Sequence, residues 1–183
     1  MAYPITKFWF YPLCRILIKR IKGIDNIPDK TTFIIVANHE KLIDPLYIIY
    51  TVLKKLNKKV HFLSSGRWWF LGETICRQWA GSIPLFDKKQ AYNESKNLII
   101  SGEIVGIFPE GGTRRTKNPK TGAVRLAVET NTPILPIGIK SSYLPFKSKL
   151  NIGKPIYINK KNDIEKQAKD LLKYIYQLSD NQL

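Results

Sequence analysis

Asn38-His39-Glu40-Lys41-Leu42-Ile43-Asp44 sets an imidazole and a carboxylate directly after the apolar run Phe33-Ile34-Ile35-Val36-Ala37. A histidine held by an acid is the standard arrangement for a general base, because the carboxylate fixes the tautomer and stabilises the imidazolium. His39 and Asp44 are five residues apart, which in a regular helix puts them roughly 140° apart on different faces. They meet only if the chain turns between them, as it does where a strand ends and a helix begins. The same residues also fit a structural reading, with Asp44 capping a helix and His39 standing in the loop before it. A nucleophile elbow of the form Gly-x-Ser-x-Gly is absent, as is a Walker A loop. A base here would therefore activate a substrate hydroxyl directly, with no covalent enzyme intermediate. His39-Glu40 opens a zinc-like HExxH pattern, but position 43 is Ile and the other histidine is His61, so no metal site is expected.

A second constellation is Phe108-Pro109-Glu110-Gly111-Gly112-Thr113-Arg114-Arg115. Its glycines permit positive φ and close backbone approach. Successive N–H groups in such a turn form an anion-binding concavity, and Arg114 and Arg115 add forked donors suited to phosphate. Lys117 and Lys120 continue the basic run, so a solvated loop fits the same residues. Taken together, the two stretches suggest an enzyme acting on a phosphorylated alcohol.

Both stretches need strands to position them. The β-branched-rich run Phe33–Ala37 and the short stretches His61–Leu63, Ser82–Phe86, Glu103–Phe108 and Ile134–Ile139 read as strands. Between them, Pro45–Leu56, Glu94–Ile100 and Thr121–Thr130 read as helices, and Asp163–Leu178 closes the chain with an amphipathic one. Asp44 followed by Pro45 has the form of an N-cap and a first helical residue. Lys147–Ile158, with Gly153 and Pro155 inside it, reads as a hairpin or two short strands. Strands alternating with helices predict an α/β fold, with a mostly parallel central sheet flanked by helices.

The chain has 183 residues, 44% of them hydrophobic, which suffices for a core and argues against disorder. Its net charge of +16 draws polyanions: nucleic acid, an anionic membrane or phosphorylated ligands. Cys14 and Cys76 stand apart with no paired motif, as reduced thiols do. No cleavable signal and no transmembrane helix is expected, since Lys7, Pro12, Arg15, Lys19 and Arg20 interrupt the apolar stretch from Tyr3 to Ile21. In that stretch Leu13, Ile16, Leu17 and Ile21 share a helical face, with Arg15, Lys19 and Lys22 on the other side. Such a helix either packs on the protein's own core or lies in a membrane interface. The aromatics Tyr3, Phe8, Trp9, Phe10 and Tyr11 favour the interface. Residues 1–22 are thus expected as an N-terminal amphipathic membrane-interface segment and 23–183 as a single domain. Trp68–Trp79 is a second aromatic-rich candidate for the interface.

Asn38-His39 with Asp44, and Phe108-Pro109-Glu110-Gly111 with Thr113-Arg114, resemble the paired signatures of the glycerolipid acyltransferase family. Gly23–Pro28, Gly81–Leu85, Lys120–Ala127 and Pro133–Ile137 resemble its other blocks, in order, over about residues 22 to 140. The resemblance implies an acyltransferase of the bacterial 1-acylglycerol-3-phosphate type, making phosphatidic acid. It implies that His39 is the base and Asp44 its orienting acid. Glu110 and Gly111 would shape the acceptor site, and Thr113 and Arg114 would bind its phosphate. It implies an acyl thioester of acyl carrier protein or coenzyme A as donor, no bound cofactor, and an anionic lipid surface at the cytoplasmic face of the membrane as partner.

Three positions depart from the family pattern. Lys41 replaces a serine. The extra Gly112 sets Arg114 and Arg115 in competition for the phosphate. Asp87 stands where an arginine is usual, which moves that role to Lys88. Glycerol-3-phosphate or another lysophospholipid is the alternative acceptor. From a different class come a non-catalytic lipid-binding member and a basic nucleic-acid module. Retention of His39, Asp44, Glu110 and an arginine speaks against the first. The aromatics lie in apolar runs away from the basic clusters, so no nucleic-acid partner is expected.

Overall fold

A computed structural model describes residues 7–65 and 72–181. Seven strands form one sheet: β1 (Ile18–Lys22), β2 (Ile34–Ala37), β3 (Val60–Ser64), β4 (Ser82–Pro84), β5 (Ile104–Ile107), β6 (Ile134–Lys140) and β7 (Ser148–Ile152). Their order across the sheet is β1-β7-β6-β2-β5-β3-β4, and every pairing is parallel except β6 with β7. The α-helices among the described residues are α1 (Lys7–Leu17), α2 (Asp44–Leu56), α3 (Lys88–Ile100), α4 (Gly122–Thr130) and α5 (Ile164–Asp180).

The central strands are apolar runs because both their faces are covered. Ile35, Ala37, Leu135 and Ile137 pack with Tyr47, Ile48 and Val52 of α2 and with Phe10 and Cys14 of α1. On the other face Ile34, Val36 and Ile134 pack with Ala91 of α3, Leu126 of α4 and Ile175 of α5. This is the α/β architecture expected from the sequence. It sets the carboxyl ends of β2, β3, β4, β5 and β6 at one end of the sheet, where open α/β folds place their ligands.

The N-terminal expectation needs correction. The helix stops at Leu17, and Ile18–Lys22 is strand β1, in register with β7 from Ile18↔Ser148 to Lys22↔Asn151. Residues 18–22 therefore belong to the sheet, and no boundary at residue 22 divides the fold. Backbone pairing at a sheet edge has overridden a helical spacing of apolar side chains. Helix α1 buries Phe10, Cys14 and Leu17 in the domain's own core. The Tyr11 ring lies 5.0 Å from that of Tyr50 on α2. Leu13 and Ile16, expected on the same face as Leu17, point outward. Tyr3 and Trp68–Leu71 lie outside the described residues. No described helix is long and apolar enough to cross a membrane.

Three smaller differences have local causes. Helix α3 begins six residues before Glu94, because the Asp87 carboxylate accepts from Gln90 N and caps it. The 147–158 region yields one strand, β7, and a single bridge from Ile156 to Ile134, since β7 pairs with β6, just before it in the chain, and with β1, and not with a partner inside the region. Ser82–Phe86 is a strand only to Pro84, and Leu85 and Phe86 are exposed.

Two glycines decide how closely layers approach. A Cβ on Gly106 would lie 2.3 Å from the Phe62 ring. One on Gly138 would lie 2.3 Å from the backbone nitrogen of Ser179, so α5 rests on the bare backbone of β6.

Candidate active site

Strand β2 ends at Ala37, and the next residue anchors the turn. Asn38 is fully buried; its side chain donates to Ile139 O (2.8 Å) and accepts from Ile139 N (2.7 Å). This two-way clamp ties the turn to β6. The chain then bends through residues 39–43 into α2. Within this bend His39 Nδ1 comes 3.0 Å from Asp44 Oδ2. The same oxygen accepts from Glu40 N (2.7 Å) and Lys41 N (2.8 Å). Asp44 is the first residue of α2 and Ile43 is the cap residue, so the N-cap reading is corrected. The carboxylate turns back onto the loop that precedes its helix.

This geometry sets the chemistry of the imidazole. With a carboxylate on Nδ1, that nitrogen carries the proton and Nε2 keeps its lone pair. Asp44 is wholly buried, and low surrounding polarity strengthens its attraction for an imidazolium. The His39 ring stacks on Phe108 at 4.2 Å between centroids, and Phe108 stacks on Phe62 at 5.4 Å. Gly106 leaves the room that Phe62 needs. The orientation of the base thus rests on a column of rings that reaches down to β5.

Strand β5 delivers the second constellation beside the first. The Glu110 carboxylate accepts from the backbone N–H of His39 and, at 2.6 Å, from the Tyr176 hydroxyl. Tyr176 in turn accepts from Thr116 N at 3.0 Å. Burial raises the Glu110 pKa above the ordinary glutamate value, opposed by the Tyr176 hydroxyl, the His39 N–H and the charges of His39 and Arg115. Burial and the bond to Glu110 push the Tyr176 phenol up to about 12. Gly111 adopts φ +71°, the left-handed turn expected of a glycine there.

The two arginines separate clearly. Arg115 makes a two-pronged bond to Asp180 of α5 (3.0 and 2.6 Å), lies 3.9 Å from Glu40 and stacks over the Tyr176 ring. The bond to Arg115 holds the Asp180 carboxyl below the usual range. Arg114 is exposed and has no ion-pair partner among the described residues. Thr113 is exposed beside it. Lys88 is exposed at the start of α3, at the same end of the sheet. It follows β4, three strands from β2, or roughly 14 Å at ordinary strand spacing. The structure thus brings His39, Asp44 and Glu110 into one network, with Arg114 on its rim and Lys88 apart.

Sequence reasoning did not find Tyr176 or Asp180. Tyr176 sits between buried helix positions and carries no spacing signal. Asp180 did carry one: an acid in the last turn of a helix opposes the macrodipole, so it calls for a cationic partner. The two cysteines are buried, and burial pushes Cys14 up to about 12, far from a reactive thiolate. Among the described residues no three His, Cys, Asp or Glu side chains gather as metal ligands.

Tyr176→Phe removes the hydroxyl from Glu110 and should cost about 1–2 kcal/mol at neutral pH, where the buried carboxylate loses a donor. The sign with pH follows from the raised Glu110 value. Folding disfavours the charged form, so stability from this group is fully present below 4.5 and is lost as pH rises through the raised value. Losing the Tyr176 donor raises that value further. Denaturant melts should therefore show a larger loss for Tyr176→Phe at neutral pH than below 4.5. Equal losses at both would mean Glu110 is not the hydroxyl's working partner.

The fold and this site define an open α/β protein that carries an acid-held histidine and a cationic glycine turn on neighbouring strand ends. A family model described as Acyltransferase matches residues 19–140, and the chain belongs to that family. It is 28% identical over 151 residues to a 1-acyl-sn-glycerol-3-phosphate acyltransferase of Borreliella burgdorferi, covering 76% of this chain and 58% of that protein. It is 26% identical over 155 residues to the protein of that name from Bacillus subtilis, covering 75% and 73%. The chain thus spans little more than half the length of the Borreliella relative. A crystal structure of the 1-acyl-sn-glycerophosphate (LPA) acyltransferase from Thermotoga maritima superposes with a TM-score of 0.65 at 23% identity, over 93% of this chain and 72% of that one. That likeness supports the fold.

Proposed function

We propose that the chain transfers a fatty acyl group from an acyl thioester to the free hydroxyl of 1-acylglycerol-3-phosphate, giving phosphatidic acid. The observation that carries this is the His39–Asp44 pair, clasped through its backbone by Glu110, in a member of the acyltransferase family. Two relatives bear the name of that activity.

In this reading His39 Nε2 takes the proton of the acceptor hydroxyl as its oxygen attacks the thioester carbonyl. Asp44 stabilises the imidazolium that results. The tetrahedral intermediate then collapses, the C–S bond breaks, and the departing thiolate recovers the proton from His39. Glu110 holds the loop that carries the base. Arg114, exposed and with no ion-pair partner among the described residues, takes the acceptor phosphate with Thr113 and the Gly111 turn. Lys88, apart from this network, would meet only a phosphate that reaches toward β4. Acyl carrier protein or coenzyme A supplies the thioester, and the chain works at the cytoplasmic face of an anionic membrane, where its acceptor resides.

The test is transfer of a labelled acyl group from either thioester to 1-acylglycerol-3-phosphate, to glycerol-3-phosphate and to lysophospholipids with larger headgroups. Phosphatidic acid as the preferred product supports the proposal; preference for another acceptor replaces it. Arg114→Ala should raise KM for the acceptor by about 10- to 100-fold, as expected for one charge-assisted bond to phosphate. Arg115→Ala should mainly lower the melting temperature, because its guanidinium is committed to Asp180. A reversal of these two outcomes would hand the phosphate to Arg115.

A further inference from the structure

Two shared acceptors tie the turn that carries His39 to the last turns of α5. Ile139 O on β6 accepts from the Asn38 side chain and from Ser179 Oγ of α5, each at 2.8 Å. A carbonyl has two lone pairs, and both find donors here. The Glu110 carboxylate accepts from the His39 N–H on one oxygen and from the Tyr176 hydroxyl on the other, the second bond at 2.6 Å. Asn38 and His39 are consecutive, and Tyr176 and Ser179 are three apart on one face of α5. The four bonds close a ring that runs from Asn38 through β6 to α5 and back through Glu110 to His39. Asn38 and Ser179 are buried, so their half of the ring is shielded from water.

The Glu110 half of the ring bears on the base itself. The His39 N–H lies beyond the last β2–β5 pair, Val36↔Ile107. Asn38 fixes the chain before His39, and Asp44 fixes Glu40 N and Lys41 N after it. Glu110 grips the peptide of His39 in between. The last torsion of a glutamate is broad, so one bond alone leaves its carboxylate free to swing. The Tyr176 hydroxyl removes that freedom. Tyr176 is itself fixed on two further sides. Its oxygen accepts from Thr116 N at 3.0 Å, and the Arg115 guanidinium, forked to Asp180 one turn along α5, lies 4.7 Å over its ring.

We propose that Tyr176 is a positioning residue for acyl transfer: its hydroxyl, acting through Glu110, sets the peptide of His39 and so the aim of the imidazole. Ser179 holds α5 in register with the same turn. This rests on the transfer reading above and goes beyond it. In this role Tyr176 needs no contact with either substrate. Its weight comes from the tolerance of the reaction, since misplacing a reacting group by about 1 Å can cost on the order of 10²-fold in rate.

The experiment combines steady-state kinetics with nitrogen-15 NMR of the imidazoles, at a temperature where circular dichroism shows every variant folded. Tyr176→Phe keeps the ring and removes the hydroxyl. It should lower kcat by about 10- to 100-fold and leave KM for the acceptor within about twofold. Added to His39→Ala, it should lower the residual rate no further, because it acts only through the base. Ser179→Ala should show the same signature more weakly, since Ile139 O keeps its bond from Asn38. The protein has two histidines, which makes the spectrum simple to read. His61 stands near the amino end of β3, 3.6 Å from Glu103, and serves as the internal reference. The His39 resonances should shift or broaden in Tyr176→Phe while those of His61 stay in place.

Unchanged His39 resonances with normal kcat overturn the proposal. So does a loss of rate that is as large in the His39→Ala background, which would mark a general loosening of the fold. A rise in KM with kcat kept would instead place the hydroxyl in acceptor binding, and a heavier loss from Ser179→Ala would move the role from Tyr176 to the Ile139 bond. If no acceptor is acylated yet the His39 resonances still follow Tyr176, the transfer reading falls and the coupling of Tyr176 to the imidazole stands.

Discussion

His39→Ala will fold as the wild type does and transfer acyl groups ~10²–10⁴-fold more slowly, the usual worth of a positioned general base. The loss should appear in kcat, since the imidazole acts when the hydroxyl proton moves and not when the acceptor docks. Asp44→Asn is the sharper test. An asparagine oxygen can still accept from Glu40 N and Lys41 N, so the turn between β2 and α2 should persist. That same oxygen also still accepts from Nδ1, so what disappears is the buried charge that favours the imidazolium. Its kcat should therefore approach that of His39→Ala while thermal melting moves little. Near-normal kcat in Asp44→Asn would leave Asp44 as a structural brace, and near-normal kcat in His39→Ala would end the base mechanism.

Gly138→Ala should have a large structural effect for a single methyl group. The added carbon meets Ser179 N at 2.3 Å and the Leu178 carbonyl carbon at 2.5 Å, both backbone atoms that cannot rotate away. Overpacking of this kind typically costs about 1–3 kcal/mol. For a chain of this size that is a fall of roughly 2–10 °C in Tm. The damage should also be directional. Helix α5 carries Tyr176 and Asp180, so its displacement loosens Glu110 and frees Arg115. Hydrogen exchange should quicken over Ile164–Asp180 and the 109–118 turn, while β2 and β5 keep their protection. A normal melt with normal exchange would show that α5 can shift without cost.

The parallel strands were legible because burial on both faces writes them as unbroken apolar runs, as in Ile34–Ala37 and Ile104–Ile107. The His39–Asp44 pair was legible for a related reason: both partners lie in one short turn, so spacing alone bounds their geometry. Strand β1 was not. Ile18-Lys19-Arg20-Ile21-Lys22 carries charges on an exposed sheet edge, and its apolar residues fall equally well on a helix. The early start of α3 was hidden because its first turns are polar and bury little. Tyr176 was invisible as a site residue, since its partner lies 66 positions away and no local pattern encodes such a contact; Asp180 signalled only a need for some cation, and its partner lies 65 positions away.

The Asn38 clamp has a consequence for how the molecule is made. It joins residues 101 positions apart, and the bond from His39 to Glu110 spans 71. Contacts of such long separation are slow to form, because a large loop must close before they can repay its entropy. Helices and local turns close only short loops and are expected to form before the central strands find their places. A refolding chain will therefore regain its helical signal first and its ordered His39 turn last. Activity is the late clock of folding in this protein, and a half-assembled chain carries its base and acid side by side with nothing yet to aim them.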